Sequence, residues 1–460
     1  MIAVRPAPET TIDTLADARI KEKLQAVRQT DNVTNLYWLI RTWLYLAVVI
    51  GLAVAFYEMR AGWGLAWAWN IPVTILAVIL IGAGQHQLTG LSHEASHHIL
   101  FKNRLANDLV SDYLCMFPIY SSTHHYRLQH LAHHQFVNDP AHDPDISQLQ
   151  TSGHWLNFPV AKKAFVKMLV RQLGLLGLIR YMRIRAAYNA IPSDKNPYLK
   201  KGWKPRKTVI RVGILYLLAQ AIVMTTLVAA DQPLALAIVS GILYAAMMAF
   251  LAIVPSSWYH QSRVHPVISM RAMSIGRITF FTAVFGSLAA LSWLTPYAPL
   301  YYLLLWLVPI FTSFSFYMIL RQLVQHGNGD RGWLTNTRVF KVHPFIRFAV
   351  FPLGQDYHLP HHLFASVPHF RLRELHEFLV GCREYREQAV EVEGYFFPYE
   401  RPQSKPTVLD VVGPDYHHRA AEVYIDNAVL EDEKVEDKDD ILRTGEREKE
   451  KRREEMSASS

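Results

Sequence analysis

Residues Leu36 to Tyr57 read LYWLIRTWLYLAVVIGLAVAFY, 22 positions carrying a single charge, Arg41. A bilayer's hydrocarbon core takes about 20 apolar helical residues to cross. Soluble helices are apolar along one stripe, whereas this stretch is apolar all round. It therefore predicts a membrane span. Similar blocks follow at about 70–90, 209–229, 233–254, 277–295 and 299–321. The breaks Asp231-Gln232-Pro233 and Thr295-Pro296-Tyr297-Ala298-Pro299 read as tight turns. The expected fold is all-α, a multi-pass transmembrane bundle of about six spans with a helical cytosolic cap.

The rest of the 460 residues is far more polar: 51% of the chain is hydrophobic, yet 19% is charged. Two cysteines, Cys115 and Cys382, exclude a disulfide framework and any cysteine-ligated cluster. The segment 1–34 is polar and mixed in charge, with no secretory signal. The formal charge is +8. In so apolar a chain this excess points to anionic lipid headgroups, not nucleic acid. Thirteen Lys and Arg residues fall within 160–207, between the second and third blocks. The positive-inside rule then makes 91–207 cytosolic, and six spans put both termini there too. Phe165, Met168, Leu169, Leu173, Leu176 and Ile179, interleaved with basic residues, predict an amphipathic helix, either interfacial or packed on the cap. The expected organisation is a cytosolic segment 1–34, a membrane domain 35–380, a cytosolic extension 381–430 and a charged tail 431–460. The tail's acidic and basic residues outnumber its apolar anchors, which predicts disorder.

The chemistry lies in the 22 histidines. Three boxes stand just beyond apolar blocks, on the side assigned to the cytosol: His93-Glu94-Ala95-Ser96-His97-His98, His130-Leu131-Ala132-His133-His134 and His358-Leu359-Pro360-His361-His362. At this histidine frequency roughly 0.05 H-x-x-H-H matches are expected by chance, and the chain has two. Residues i, i+3 and i+4 share a helix face, so His130, His133 and His134 can converge, as can His358, His361 and His362. Pro360 requires its helix to begin nearby. His93 and His97 share a face, while His98 lies about 140° round the helix from His93 and stands as the substitute. Imidazole suits iron, copper and zinc. Eight such ligands exceed what one ion holds, and zinc cannot change oxidation state. Two redox-active ions are therefore expected, with iron oxidising a lipid C–H bond. A ninth candidate, His326, ends the sixth block, where Gly327 stops the helix. Gln322, one turn earlier, is a candidate to hold a metal-bound water.

Four phrases, HEASHHILFKNRLANDLVSD, YRLQHLAHHQFVNDPAHDPD, RQLVQHG and DYHLPHHLFASVPHFRLRELH, resemble the membrane fatty acid desaturase superfamily. The likeness runs from about residue 35 to 380. It implies two iron ions held by His93, His97, His130, His133, His134, His326, His358, His361 and His362. Glu94, Asn138, Asp143, Asp145 and Asp356 would then fix imidazole tautomers. The chain departs from many relatives in the adjacent His97 and His98 and in Pro360. Six spans also exceed the usual four, so one hairpin is expected to be peripheral or only partly inserted. The implied reaction is O2-dependent desaturation of a fatty acyl chain. No donor domain is fused to the chain, which predicts a separate ferredoxin or cytochrome b5-type electron donor. Hydroxylation or ketolation of a lipid or carotenoid is the neighbouring alternative, and a histidine-rich metal transporter the remote one.

Overall fold

The computed structural model describes residues 12–172, 174–190, 196–398, 401–417 and 422–443. The expectations for 1–11, Leu173 and 444–460 lie outside the described residues. Among the described residues, six helices are long and apolar enough to cross a membrane: Val33–Met59, Trp67–Ser96, Thr208–Ala229, Pro233–Ile253, Met270–Ser292 and Ala298–Gln325. Their outward side chains, Leu52 (68% exposed), Leu215 and Ile242 among them, form an apolar surface no aqueous protein would present. The chain is a helical multi-pass integral membrane protein.

The second span is the axis of the main core, with the first and sixth against it. A Cβ on Gly82 would stand 2.1 Å from Ser313 Oγ, and one on Gly84 2.5 Å from Leu46 Cδ2, so only glycine permits these two close approaches. The sixth span widens into π-helical turns at Leu303–Leu307 and Ile310–Phe314. They flank Pro309, whose missing N–H cannot continue an α-helical ladder. The third, fourth and fifth spans build a satellite core around Tyr216, Met247, Leu251, Met273 and Ile278.

Two spans outrun their apolar blocks. The second continues past residue 90 to Ser96 and the sixth past 321 to Gln325. Each carries polar residues, His93 and Glu94 or Arg321 and Gln322, into buried positions. Box two lies on the helix Thr123–Gln135 and box three on His358–Leu363, where Pro360 falls in the first turn and breaks no ladder bond. The amphipathic segment forms two helices, Lys162–Gln172 and Leu175–Ala190. Phe165, Leu169, Leu178 and Tyr181 join the core, while Leu176 is 83% exposed. It is thus packed on the cap along one face and apolar on another.

The helical expectation holds, with one small addition: a parallel two-stranded ribbon, Arg338–Lys341 with Val390–Glu393, in register Arg338 to Val390. Two expectations need correction. Residue 380 is not a domain boundary, because Val390, Val392, Tyr395, Val408 and Val411 lie in the main core. The charged tail has a defined fold over 431–443. Leu430 and Ile441 are buried against Leu128 and Leu131 of the box-two helix, and Val435 bridges to Val264. Its charges are used in pairs such as Lys201–Asp440 (2.7 Å), which composition alone does not reveal.

Candidate metal centre

Box one sits where the second span ends. His93 is in its last turn, and His97 caps the helix at φ −98°. His98 turns into the left-handed region at φ 59°. That reversal separates the two neighbours. His97 Nε2 stands 2.9 Å from His130 Nε2, whereas His98 Nε2 lies 3.0 Å from Glu433 and Nδ1 3.3 Å from Arg127. His98 is part of a buried charge cluster that also holds Asp108. Within it Arg127 bonds Asp108 and the carbonyls of Ala95 and Ser96, fixing the end of the box-one helix.

The nine remaining candidates fall into two groups. His93, His97, His130, His134 and His361 form one, and His133, His326, His358 and His362 the other. Within each, all ligand atoms lie within 4.8 Å of one another. Nearest approaches are 2.9 Å for His134 to His361 and for His326 to His358, and 3.1 Å for His133 to His326, always Nε2 to Nε2. Nitrogens bound at ~2.1 Å to one ion are ~3.0 Å apart at right angles and ~4.2 Å apart when opposite, so these spacings are those of coordination edges.

Tautomers decide whether the donors fit a metal. His133 Nδ1 lies 3.0 Å from both carboxylate oxygens of Asp143, and His326 Nδ1 is 3.1 Å from the carbonyl of Asn336. Both partners only accept, so each ring, when neutral, carries its proton on Nδ1 and leaves Nε2 bare. With both rings neutral the two Nε2 atoms face each other, lone pair to lone pair, and a cation between them, a proton or a metal ion, removes the conflict. Burial, with neighbouring imidazoles adding to it, holds His97, His130, His134, His326, His358 and His362 well below the usual histidine range. His361 is brought down to about 3 in the same way. Neutral imidazoles are the form that binds metal. Burial also works against a charge on His133, but Asp143 and Asp145 together outweigh it and raise that ring to about 9, so a metal bound there takes the place of the Nε2 proton. The donor set fits two ions.

The residues expected to support the imidazoles divide. Asp143 does so directly. Asn138 acts through the loop, its amide donating to the carbonyls of Asp330 and Asn336 (2.6 and 2.9 Å), the second of which accepts from His326. Glu94 Oε1 is 3.8 Å from His93 Nδ1, while Oε2 accepts the backbone N–H of His369 at 2.9 Å. Gln322 accepts from Tyr181 at 2.5 Å and donates to Asp145 at 3.3 Å. Gln322 and Asp145 line a small polar cavity walled by His93, His130, His133 and His358. Asp356 is engaged by Arg347 (2.7 Å), not by an imidazole. The sixth span ends at Gln325 with His326 as its cap; position 327 must be glycine for lack of space, since a Cβ there would meet Leu323 O at 2.1 Å, and the left-handed residue is Asn328.

Sequence reasoning gave no role to Tyr126, Arg185 or Arg321, which also line the polar cavity. Tyr126 stacks on His130 (centroids 5.4 Å apart). Arg321 bonds Gln355 from within an apolar span, a position that itself signals function. Tyr126 and Arg185 also line a second, apolar cavity of about 570 Å³, walled by Met116, Ile119, Leu307 and Phe314 and running between the spans.

A family model described as fatty acid desaturase matches residues 70–288 and 256–392, spanning all three boxes and the isolated histidine. The chain belongs to the fatty acid desaturase family. Within it, 98 residues (21% of the chain) are 35% identical to the dihydrorhizobitoxine desaturase of Bradyrhizobium elkanii, covering 27% of that protein. A stretch of 70 residues (15% of the chain) is 40% identical to a Delta(5) fatty acid desaturase of Caenorhabditis elegans, covering 16% of it. The chain thus matches about a quarter or less of each of these relatives' length.

Proposed function

We propose that this desaturase removes two hydrogens from neighbouring methylenes of a fatty acyl chain, using O2 and two iron ions held by the nine histidines. Two electrons come from the substrate and two from a separate donor of ferredoxin or cytochrome b5 type. The boxes and both termini face the cytosol, following the basic 160–207 segment. The observation that carries this reading is the meeting of two imidazole groups with an apolar cavity through shared walls at Tyr126 and Arg185.

When bound, the iron pair supplies O2 activation and the oxidising power. The protein's part is positional. His93, His97, His130, His134 and His361 would hold one ion, and His133, His326, His358 and His362 the other. Asp143 keeps the His133 proton on Nδ1 and makes Nε2 the more basic donor. Asn336 does the same for His326 through its carbonyl. Tyr126, flat against His130, separates the metal side from the apolar cavity and presents one face of the acyl chain to the centre. The apolar walls exclude water from the reacting carbons. Gln322 and Asp145 stand ready to orient a water or to pass a proton on the opposite, polar side.

The test is expression in a desaturase-deficient host with mass spectrometry of total lipid. Acyl chains lacking two hydrogens support desaturation. Acyl chains that gain one oxygen would move the reading to hydroxylation, and no lipid change with His133 intact would refute it.

A further inference from the structure

Beyond the apolar cavity that borders the metal centre lies a larger one, of about 730 Å³, bounded by the third, fifth and sixth spans and reaching the connections at Asp231 and Pro296. Those connections follow the third and fifth spans, whereas the boxes follow the second and sixth. The larger cavity therefore continues away from the histidines. Tyr120 and Leu307 line both cavities.

Tyr120 is fixed from three sides. Its backbone is left-handed at φ 62°, a conformation that bulky residues rarely adopt. Its ring stacks on Phe281 of the fifth span, with centroids 4.5 Å apart and planes 17° apart. Its hydroxyl lies 2.9 Å from that of Tyr302 in the sixth span. The phenol thus bridges the short segment before box two to two spans, across the boundary between the cavities.

We propose that Tyr120, with Leu307 beside it, is the end wall that limits how far an acyl chain extends past the metal centre, and that the larger cavity is space for longer chains which this wall denies. A methylene that meets a closed apolar wall is discriminated against by about 10–200-fold. Without the wall, the added carbons would enter an apolar space of suitable size. This rests on the desaturase reading, and the wild-type chain must first form a double bond for the wall to matter.

The experiment feeds fatty acids of increasing length to a desaturase-deficient host expressing the full chain, and reads unsaturated products by mass spectrometry. Tyr120→Ala and Leu307→Ala each open the wall from a different side. Either should raise conversion of chains just beyond the wild-type limit by roughly tenfold or more. Ala289 of the fifth span lines the larger cavity, and Ala289→Phe, which fills it, should reverse that gain in the Tyr120→Ala background and leave the wild-type profile alone. Membrane levels of each variant are compared by immunoblot, and Leu307→Ala carries the test should Tyr120→Ala fail to accumulate. A wild-type length limit retained by an accumulated, active variant overturns the end-wall assignment while leaving the desaturase reading intact. No double bond from the wild-type chain would overturn that reading instead.

Discussion

Glu94 of the first box accepts, through Oε2, the backbone N–H of His369, the residue that opens the helix following the third box, at 2.9 Å. A single carboxylate thus ties two ligand-bearing segments 275 residues apart. Glu94→Gln keeps an acceptor and should retain metal and fold. Glu94→Ala leaves that buried N–H unpaired, at a cost of about 1–3 kcal/mol. Thermal unfolding in detergent, with metal content measured alongside, separates the two; equal behaviour would show that the tie is idle.

The Asp143 carboxylate acts on one imidazole, His133. Asp143→Asn removes its charge with little change in shape. Losing such a partner lowers metal affinity or activity by about 10–100-fold. Metal retention during dialysis against a chelator is the measurement, and retention equal to wild type would contradict the role.

His97 and His98 are neighbours with different duties. His97→Ala should deplete the five-histidine group and abolish product. His98→Ala should keep its metal and lose about 1–3 kcal/mol of stability, because Arg127, Asp108 and Glu433 lose a buried partner. Metal analysis of both purified variants decides this, and metal loss confined to His98→Ala would reverse the assignment.

Much of this architecture can be read in the sequence, because membrane spans and histidine spacing are local signals. Apolar length locates the six spans, and i, i+3, i+4 spacing locates boxes two and three. Box one is harder. Whether His97 or His98 turns inward depends on where the second span stops, and that is set by Arg127, held by Asp108, donating to its final carbonyls. Their pairing spans 19 residues and leaves no periodic mark. Hydropathy also places two span ends early, since it falls where polar residues enter even when the helix continues. The charged tail escapes for a related reason. Its fold depends on Leu430 and Ile441 finding the box-two helix, a contact no window over the tail reveals.

The junction of the extension and the tail supplies a prediction of its own. Leu430 is fully buried against Leu128 and Leu131. Leu430→Ala should destabilise the protein by about 2–5 kcal/mol, whereas exposed Glu431→Ala should stay within about 0.5 kcal/mol of wild type. Comparing the thermal unfolding of the two variants in detergent checks this. Equal, small effects would mean that this junction does not brace box two.

The most direct test is the metal content of purified protein by elemental analysis, with His133→Ala and His134→Ala in parallel. Two iron ions per chain are expected, one for each imidazole group, with each variant losing metal. A chain holding a single ion, or keeping its full metal content without either histidine, would contradict the two-site centre.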